Sequence, residues 1–216
     1  MSTRLKTLIA LGLCVTAYLF LKMIPFGSTV LYPFQLLVTV LHEFGHGIGA
    51  ILTGGSVSSM QINSDGSGVT YTMGGWRPIV IAGGYIGSGV FGNIIIRAGL
   101  RYGAWSKYLL NALLVILLVI ATIWSRSLSN TIICFLFAGA MYWISTKHDE
   151  FIAWFLVFTG LVSVIYVIED FQVGPSSDLQ QFTQEMPIMT HGMWMYVWLA
   201  IVVLLSWKNL KSLVKG

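Results

Sequence analysis

Long apolar stretches recur from one end of the chain to the other, and each is close to the roughly 20 residues that a helix needs to cross a bilayer. Of the 216 residues, 56% are hydrophobic and only 9% are charged. A water-soluble domain carries far more charge, about a quarter of its residues. We therefore predict an all-α polytopic membrane protein with six or seven transmembrane helices. The apolar runs cover residues 6–24, 34–52, 78–96, 106–124, 130–146, 151–168 and 192–207.

These runs leave little room for a separate soluble domain, so we expect residues 1–216 to form a single transmembrane domain. The first run follows Arg4 and Lys6, which is also the layout of a signal peptide. However, Lys22-Met23-Ile24-Pro25 lacks the small residues of a cleavage site. We expect this first helix to be retained.

The formal net charge is +4, from 12 basic and 8 acidic residues. In a membrane protein, the distribution of such basic residues among the loops indicates which loops are cytoplasmic. No basic patch indicates a nucleic-acid partner. Cys14 and Cys134 lack the paired spacing of a redox or zinc motif.

If all seven helices cross the membrane in alternating directions, the acidic stretch from Glu169 to Glu185 is external. The predicted cytoplasmic cations are Lys22, Arg97, Arg101, Lys107, Lys147, Lys208, Lys211 and Lys215, against Arg4, Lys6, Arg77 and Arg126 on the other side.

One segment breaks the helical pattern. Residues 54–62 alternate apolar and polar side chains, a Gly, Asn and Asp-rich turn follows at 63–68, and the alternation resumes at 69–72. This pattern predicts a short β-hairpin at about 55–72, between the second and third helices, although an exposed loop has a similar composition. An isolated hairpin is marginal in water, so we expect it to lean on the helices or on the membrane interface. An unpaired strand edge is able to accept an extended peptide as an added strand.

Small residues recur every four positions in the third helix, at Gly84, Ser88 and Gly92. The second helix carries Gly45 and Gly49 at the same spacing. Small residues let helix backbones approach closely in lipid. We therefore expect the second and third helices to touch, and we infer no phosphate-binding loop.

His42 and His46 lie four residues apart, so on a helix they share one face and are able to hold one metal ion. A catalytic Zn²⁺ takes two imidazoles and a third protein ligand and keeps a position for water, whose pKa it lowers. Glu43 is placed to accept that water's proton as the catalytic base. An HExxH run also arises by chance in soluble helices. Here it falls inside an apolar helix, where ionisable groups are costly and usually functional.

Gln35 and Thr39 continue the polar face of the second helix, either as partners of the ligands or simply as residues facing the bundle.

Residue spacing alone does not identify the third metal ligand. Asp178 follows Gly174–Ser177, which looks like a helix start, and its segment is too polar to span a bilayer. Alternatively, Asp178 is an acidic residue in the first turn of a helix, where the helix dipole favours a negative charge, and it binds no metal. The candidates by residue type are His148, Asp149, Glu169, Asp170, Asp178, Glu185 and His191.

Five segments and one further residue carry a family resemblance: Leu41–His46, Thr53–Gly55, Asp65–Thr70, Ala82–Gly87 and Ser177–Thr183, with Trp194 beyond. Together they resemble the site-2 protease family of intramembrane zinc metalloproteases, and they look closest to its compact branch without a PDZ domain. The resemblance spans most of the chain. It implies a zinc-dependent metalloendopeptidase of the HExxH type. It also implies that Asp178, from a polar segment at about 170–191, is the third ligand of the one Zn²⁺ ion beside His42 and His46.

The chain departs from the better-known members of that family in two places. Those members place the ligand Asp in an Asn-Pro-x-x-x-x-Asp-Gly motif, which is absent here. Their Gly-Pro-x-x-Asn motif is approached only by Gly89–Asn93, with Val90 in place of Pro. On that alignment Asn93 would stabilise an oxyanion. An alignment on Ala82–Gly87 leaves no Asn.

The expected function is hydrolysis of peptide bonds in or near transmembrane segments of membrane-protein or peptide substrates, in the cell membrane, with water reaching the metal through a polar cavity. One alternative is a protease-like protein that binds partner helices without cutting them, against which the intact Glu43 argues. Another is a zinc transporter, whose ligands would be spread over several helices. Without a PDZ-like domain, size exclusion or a partner protein would select substrates, and the sequence names no adaptor or regulator.

Overall fold

The computed structural model describes residues 3–101, 104–169 and 177–215. Within these ranges the protein consists of eight α-helices, one π-helical segment and one two-stranded sheet. The elements are α1 (Thr3–Met23), α2 (Gly27–Leu52), β1 (Ser56–Ile62), β2 (Gly68–Met73), α3 (Arg77–Arg101), α4 (Ala104–Val119) with its π-helical continuation Ile120–Trp124, α5 (Leu128–Ser145), α6 (Asp149–Glu169), α7 (Asp178–Glu185) and α8 (His191–Lys215).

Seven of the described helices, all except α7, are long and apolar enough to cross a membrane. The hairpin stands between the second and third of them. Both features confirm the predicted fold class, and the protein is an integral, multi-pass membrane protein.

α2 and α8 exceed their predicted apolar runs by the most residues. α2 begins at Gly27 because the helix continues through Pro33. Proline removes one backbone donor, which transmembrane helices tolerate because neighbouring groups satisfy the freed carbonyl. α8 continues past residue 207 because its polar end is held by α3: the Asn209 amide donates to the Asn93 carbonyl at 3.0 Å, and Arg97 donates to Ser212.

α3 lies between α2 and α6 and packs against both through glycines. A Cβ on Gly45 would lie 2.2 Å from the Gly83 carbonyl oxygen, and one on Gly92 would lie 2.9 Å from the Gly160 oxygen of α6. The expected contact between the second and third helices is therefore confirmed. The small residues spaced by four from Gly84 contact both helices: Gly84 faces α2 and Gly92 faces α6. Each four-residue step moves the residue about 40° around α3.

The β-hairpin is antiparallel, pairs Gln61 with Val69 and contains a bulge in β1. It folds back along α2, where the Thr39 hydroxyl donates to the Gly66 carbonyl at 2.7 Å and the Tyr32 hydroxyl donates to the Ser64 carbonyl. The expectation that the hairpin leans on the helices is confirmed.

Two ion pairs lie at opposite ends of α6. Lys107 pairs with Asp149 at the start of α6 (2.8 Å), whereas Lys22 pairs with Glu169 at its end (3.0 Å). A 21-residue helix is about 30 Å long, so Lys22 and Lys107 lie at opposite ends of the bundle. The end of α1 packs beside the end of α6, where the Tyr18 hydroxyl also donates to Glu169. That both lysines face the cytoplasm stays a prediction, since it depends on which helices cross the membrane.

Candidate metal centre

Three side chains from two helices bring one electron-pair donor each to a common point. His42 Nε2 lies 3.0 Å from Asp178 Oδ2, His46 Nε2 lies 3.1 Å from the same oxygen, and the two imidazole nitrogens are 3.1 Å apart. Ligand atoms about 2.0 Å from a tetrahedral Zn²⁺ are separated by about 3.3 Å. The three atoms therefore match the ligand spacing around one small cation.

A hydrogen bond at the second ring nitrogen, Nδ1, fixes the orientation of the His46 ring. Its Nδ1 lies 2.8 Å from the Val80 carbonyl oxygen, so that ring nitrogen carries the proton and donates it there. The Nε2 lone pair then points at the other two donors, as in protein metal sites whose histidines are oriented by a second hydrogen bond. The ring of His42 is packed edge-on against Tyr85, with the centroids 4.9 Å apart.

Gly84 of α3 leaves the space that the donor atoms need. A Cβ at this position would lie 2.5 Å from His46 Nε2 and 2.6 Å from His42 Nε2. Any side chain here would occupy the point on which the donors converge. The four-residue spacing of small residues predicted only a helix-packing role for Gly84, because that spacing does not show which side chains of α2 it would face.

Asp178 reaches α2 because α7 docks against the helices on one side. The side chain of Ser177 caps α7 by accepting from a backbone N–H, which makes Asp178 its first residue. Phe182, one turn further on, is buried against Trp198 of α8, with a ring separation of 4.9 Å. The carboxylate at the start of α7 is thereby directed back toward the HExxH helix.

Asp178 carries its negative charge at this position. Burial opposes its ionisation, but hydrogen bonds from His42 and His46 outweigh burial and hold the pKa of the carboxyl well below its usual range. Carboxylates bind metal ions in the deprotonated form. The protonation state of Asp178 thus suits a metal ligand.

The other candidates for the third ligand lie elsewhere. Asp149, Glu169 and Glu185 pair with Lys107, Lys22 and Arg77 respectively. Asp170 lies outside the described residues. Within the part of the chain that the structure describes, the only group of three or more potential metal ligands is His42, His46 and Asp178, which leaves out His148 and His191.

Glu43 is buried, with 4% of its surface exposed, and β2 contacts its carboxylate. The Thr70 hydroxyl donates to Oε2 at 2.7 Å. Gly68 lies against the other oxygen, since a Cβ there would be 2.7 Å from Oε1. The carboxylate is therefore held beside the two histidines from the hairpin side.

A cavity of about 670 Å³ opens onto these groups. Glu43 and the three donors line it together with residues of β2, α3, α6 and α7. Gln35 and Thr39 also line it, and Thr39 fastens the hairpin turn through Gly66. The polar face of α2 thus forms part of the cavity wall and supports the hairpin.

Asn93 has a packing role instead of a place in this cavity. Its amide donates to the Gly89 carbonyl and to Ser206 of α8, both at 2.8–2.9 Å, and its side-chain oxygen accepts from Asn209. These bonds occupy the amide at the α3–α8 contact. The geometry therefore does not support an oxyanion-stabilising role for Asn93.

One protein-family model, described as Peptidase M50B-like, matches residues 9–208. The match covers most of the chain and includes both histidines, Glu43 and Asp178. No curated protein and no solved structure matches the chain.

Proposed function

Because the chain belongs to the Peptidase M50B-like family of site-2 proteases, we propose that it is a zinc-dependent endopeptidase that hydrolyses peptide bonds in or near transmembrane segments of membrane proteins. The observation that carries this proposal is the convergence of three ligand atoms beside a buried glutamate, in a cavity among membrane-spanning helices. The cell membrane is the proposed location.

His42 Nε2, His46 Nε2 and Asp178 Oδ2 would hold one Zn²⁺ ion. When bound, the ion supplies a Lewis acid that polarises the scissile carbonyl and lowers the pKa of water. The donor set, two imidazoles and one carboxylate, is typical of catalytic zinc, which keeps a further position open. The polar groups that line the cavity supply a path for water to the site.

Glu43 acts as general base and then as general acid. It accepts a proton from the attacking water, and the hydroxide oxygen bonds to the carbonyl carbon. The C–N bond then breaks, and Glu43 passes the proton to the leaving nitrogen. The products are a new carboxyl end and a new amino end.

The hairpin offers a place for an unwound substrate segment. The outer edge of β1 is closed by Asn130 of α5, whose amide donates to the Met60 carbonyl and accepts from the Ile62 N–H, both at 2.9 Å. β2 instead lines the cavity beside Glu43. An extended substrate would therefore add along β2, since main-chain hydrogen bonds at a free strand edge bind peptides of many sequences.

The test compares the zinc-loaded wild type with Glu43→Gln in liposomes that contain a single-span membrane protein. We expect the variant to retain zinc and to cleave at least about 100-fold more slowly, because it lacks the base. Mass spectrometry of the products measures cleavage, and elemental analysis measures zinc. Equal cleavage by the two proteins would exclude Glu43 as the base. Binding of test substrates without any cleavage by the wild type would favour the non-cleaving alternative.

A further inference from the structure

Two residues of β2 touch the Glu43 carboxylate from the same side. The Thr70 Oγ1 lies 2.7 Å from Glu43 Oε2 and 3.0 Å from the Glu43 carbonyl oxygen. Gly68 lies so close that a Cβ there would be 2.6 Å from Glu43 Cγ and 2.7 Å from Oε1. One oxygen is therefore hydrogen-bonded to the strand, and the other is packed against its backbone.

A glutamate side chain has three rotatable bonds, and a general base works only when it is held within hydrogen-bond reach of the proton it takes. Lateral misplacement of about 1 Å is enough to cost two orders of magnitude in rate. The hydrogen bond that reaches the Glu43 carboxylate comes from Thr70 of β2 and not from a residue of α2. The contacts from β2 supply that constraint.

The hairpin that contains β2 is itself held at its turn and along β1. At the turn, Thr39 of α2 donates to the Gly66 carbonyl at 2.7 Å. On the far side, Asn130 bonds to the Met60 and Ile62 backbone. Because β2 is paired with β1, a hairpin fixed at these points is a rigid support for Thr70 and Gly68.

We infer that Thr70 is a positioning residue for the catalytic base, and that Gly68 provides the close approach that lets it act. This inference rests on the proposed function and deepens it, because it gives the hairpin a part in the chemical step in addition to substrate binding. The strand that would hold the substrate also sets the position of the carboxylate that activates water.

The test uses Thr70→Val, which removes the hydroxyl from a side chain of the same shape, and Thr70→Ser, which retains the hydroxyl. Thr122→Val is the matched control, since the Thr122 hydroxyl donates to the Leu118 carbonyl one turn earlier, away from Glu43. We expect Thr70→Val to lower kcat about 10- to 100-fold with little change in KM. Thr70→Ser should retain most of the wild-type kcat, and the zinc content of Thr70→Val and of Thr70→Ser should match that of the wild type. Gly68→Ala should also lower kcat, by displacing the carboxylate.

Four results would overturn the inference: wild-type kcat in Thr70→Val, equal losses in Thr70→Val and Thr70→Ser, a loss confined to KM, or loss of zinc from Thr70→Val. If Glu43→Gln is inactive while Thr70→Val retains wild-type kcat, this inference alone fails. If the wild type cleaves nothing, the proposed function fails with it.

Discussion

At the residue scale, the candidate metal centre depends on constraints placed behind each donor. The Val80 carbonyl fixes His46, Tyr85 packs against His42, and the capped start of α7 presents Asp178. Such supporting contacts hold ligands in a geometry that binds a metal ion without reorganisation. Two substitutions separate the contribution of a ligand from that of the space around it.

Replacement of Asp178 by Ala should remove the third ligand and reduce bound zinc well below one ion per chain. Two histidines alone leave the site with an incomplete set of protein ligands. Asp149→Ala is the matched control, because that carboxylate pairs with Lys107 away from the histidines. Elemental analysis of the purified proteins measures the difference. Unchanged zinc in Asp178→Ala would show that another residue completes the site.

Replacement of Gly84 by Ala should weaken zinc binding although it removes no ligand. The added Cβ would lie 2.5 Å from His46 Nε2, too close for the ring to keep its position. Gly139→Ala is the control, because a Cβ at that helical glycine meets nothing within 4 Å. Zinc titration against a competing chelator compares the affinities, and we expect a loss of about 10- to 100-fold in Gly84→Ala only. Equal affinities for both variants would contradict the proposed position of the ion.

At the element scale, the two elements that do not cross the membrane carry much of the site. α7 supplies Asp178, and β2 supplies the contacts to Glu43. Both are docked against long helices, so short elements with little stability of their own acquire fixed positions. The hairpin also has two unlike edges, one closed by Asn130 and one along the cavity.

A proline in β2 tests whether the substrate adds to its outer edge. In antiparallel pairing, backbone groups alternate between the partner strand and the outer edge, and the bonds of Met60 and Ile62 to Asn130 put the Thr72 N–H on the outer side of β2. Thr72→Pro removes that donor, whereas Thr72→Ala retains it. We expect Thr72→Pro to raise KM about tenfold, the equivalent of one lost hydrogen bond, and Thr72→Ala to change it little. Identical KM values for the two variants would argue against strand addition.

At the scale of the whole molecule, α3 organises the bundle. Its glycines contact α2 on one side and α6 on the other, and its polar end is bonded to α8. The face of α2 that carries the candidate metal ligands therefore lies inside the bundle, within a helix that is long and apolar enough to span the membrane. On the proposed function, a substrate segment would have to enter from the bilayer or its surface to reach that depth.

The sequence by itself determined the features that depend on near neighbours along the chain. Apolar runs of helix length predicted seven spanning helices, and alternation around a glycine-rich turn predicted the hairpin, because both patterns follow from backbone periodicity. The four-residue spacing of His42 and His46 likewise set them on one face of α2 before any packing was known.

Only the tertiary structure brought Asp178 to the histidines, from 136 positions away. It also brought Gly84 and Thr70 to the site, gave Asn93 a packing role and moved Lys22 to the end of α6 opposite Lys107. Contacts of this kind depend on how helices from distant parts of the chain pack together. The spacing of residues within any single segment does not encode them.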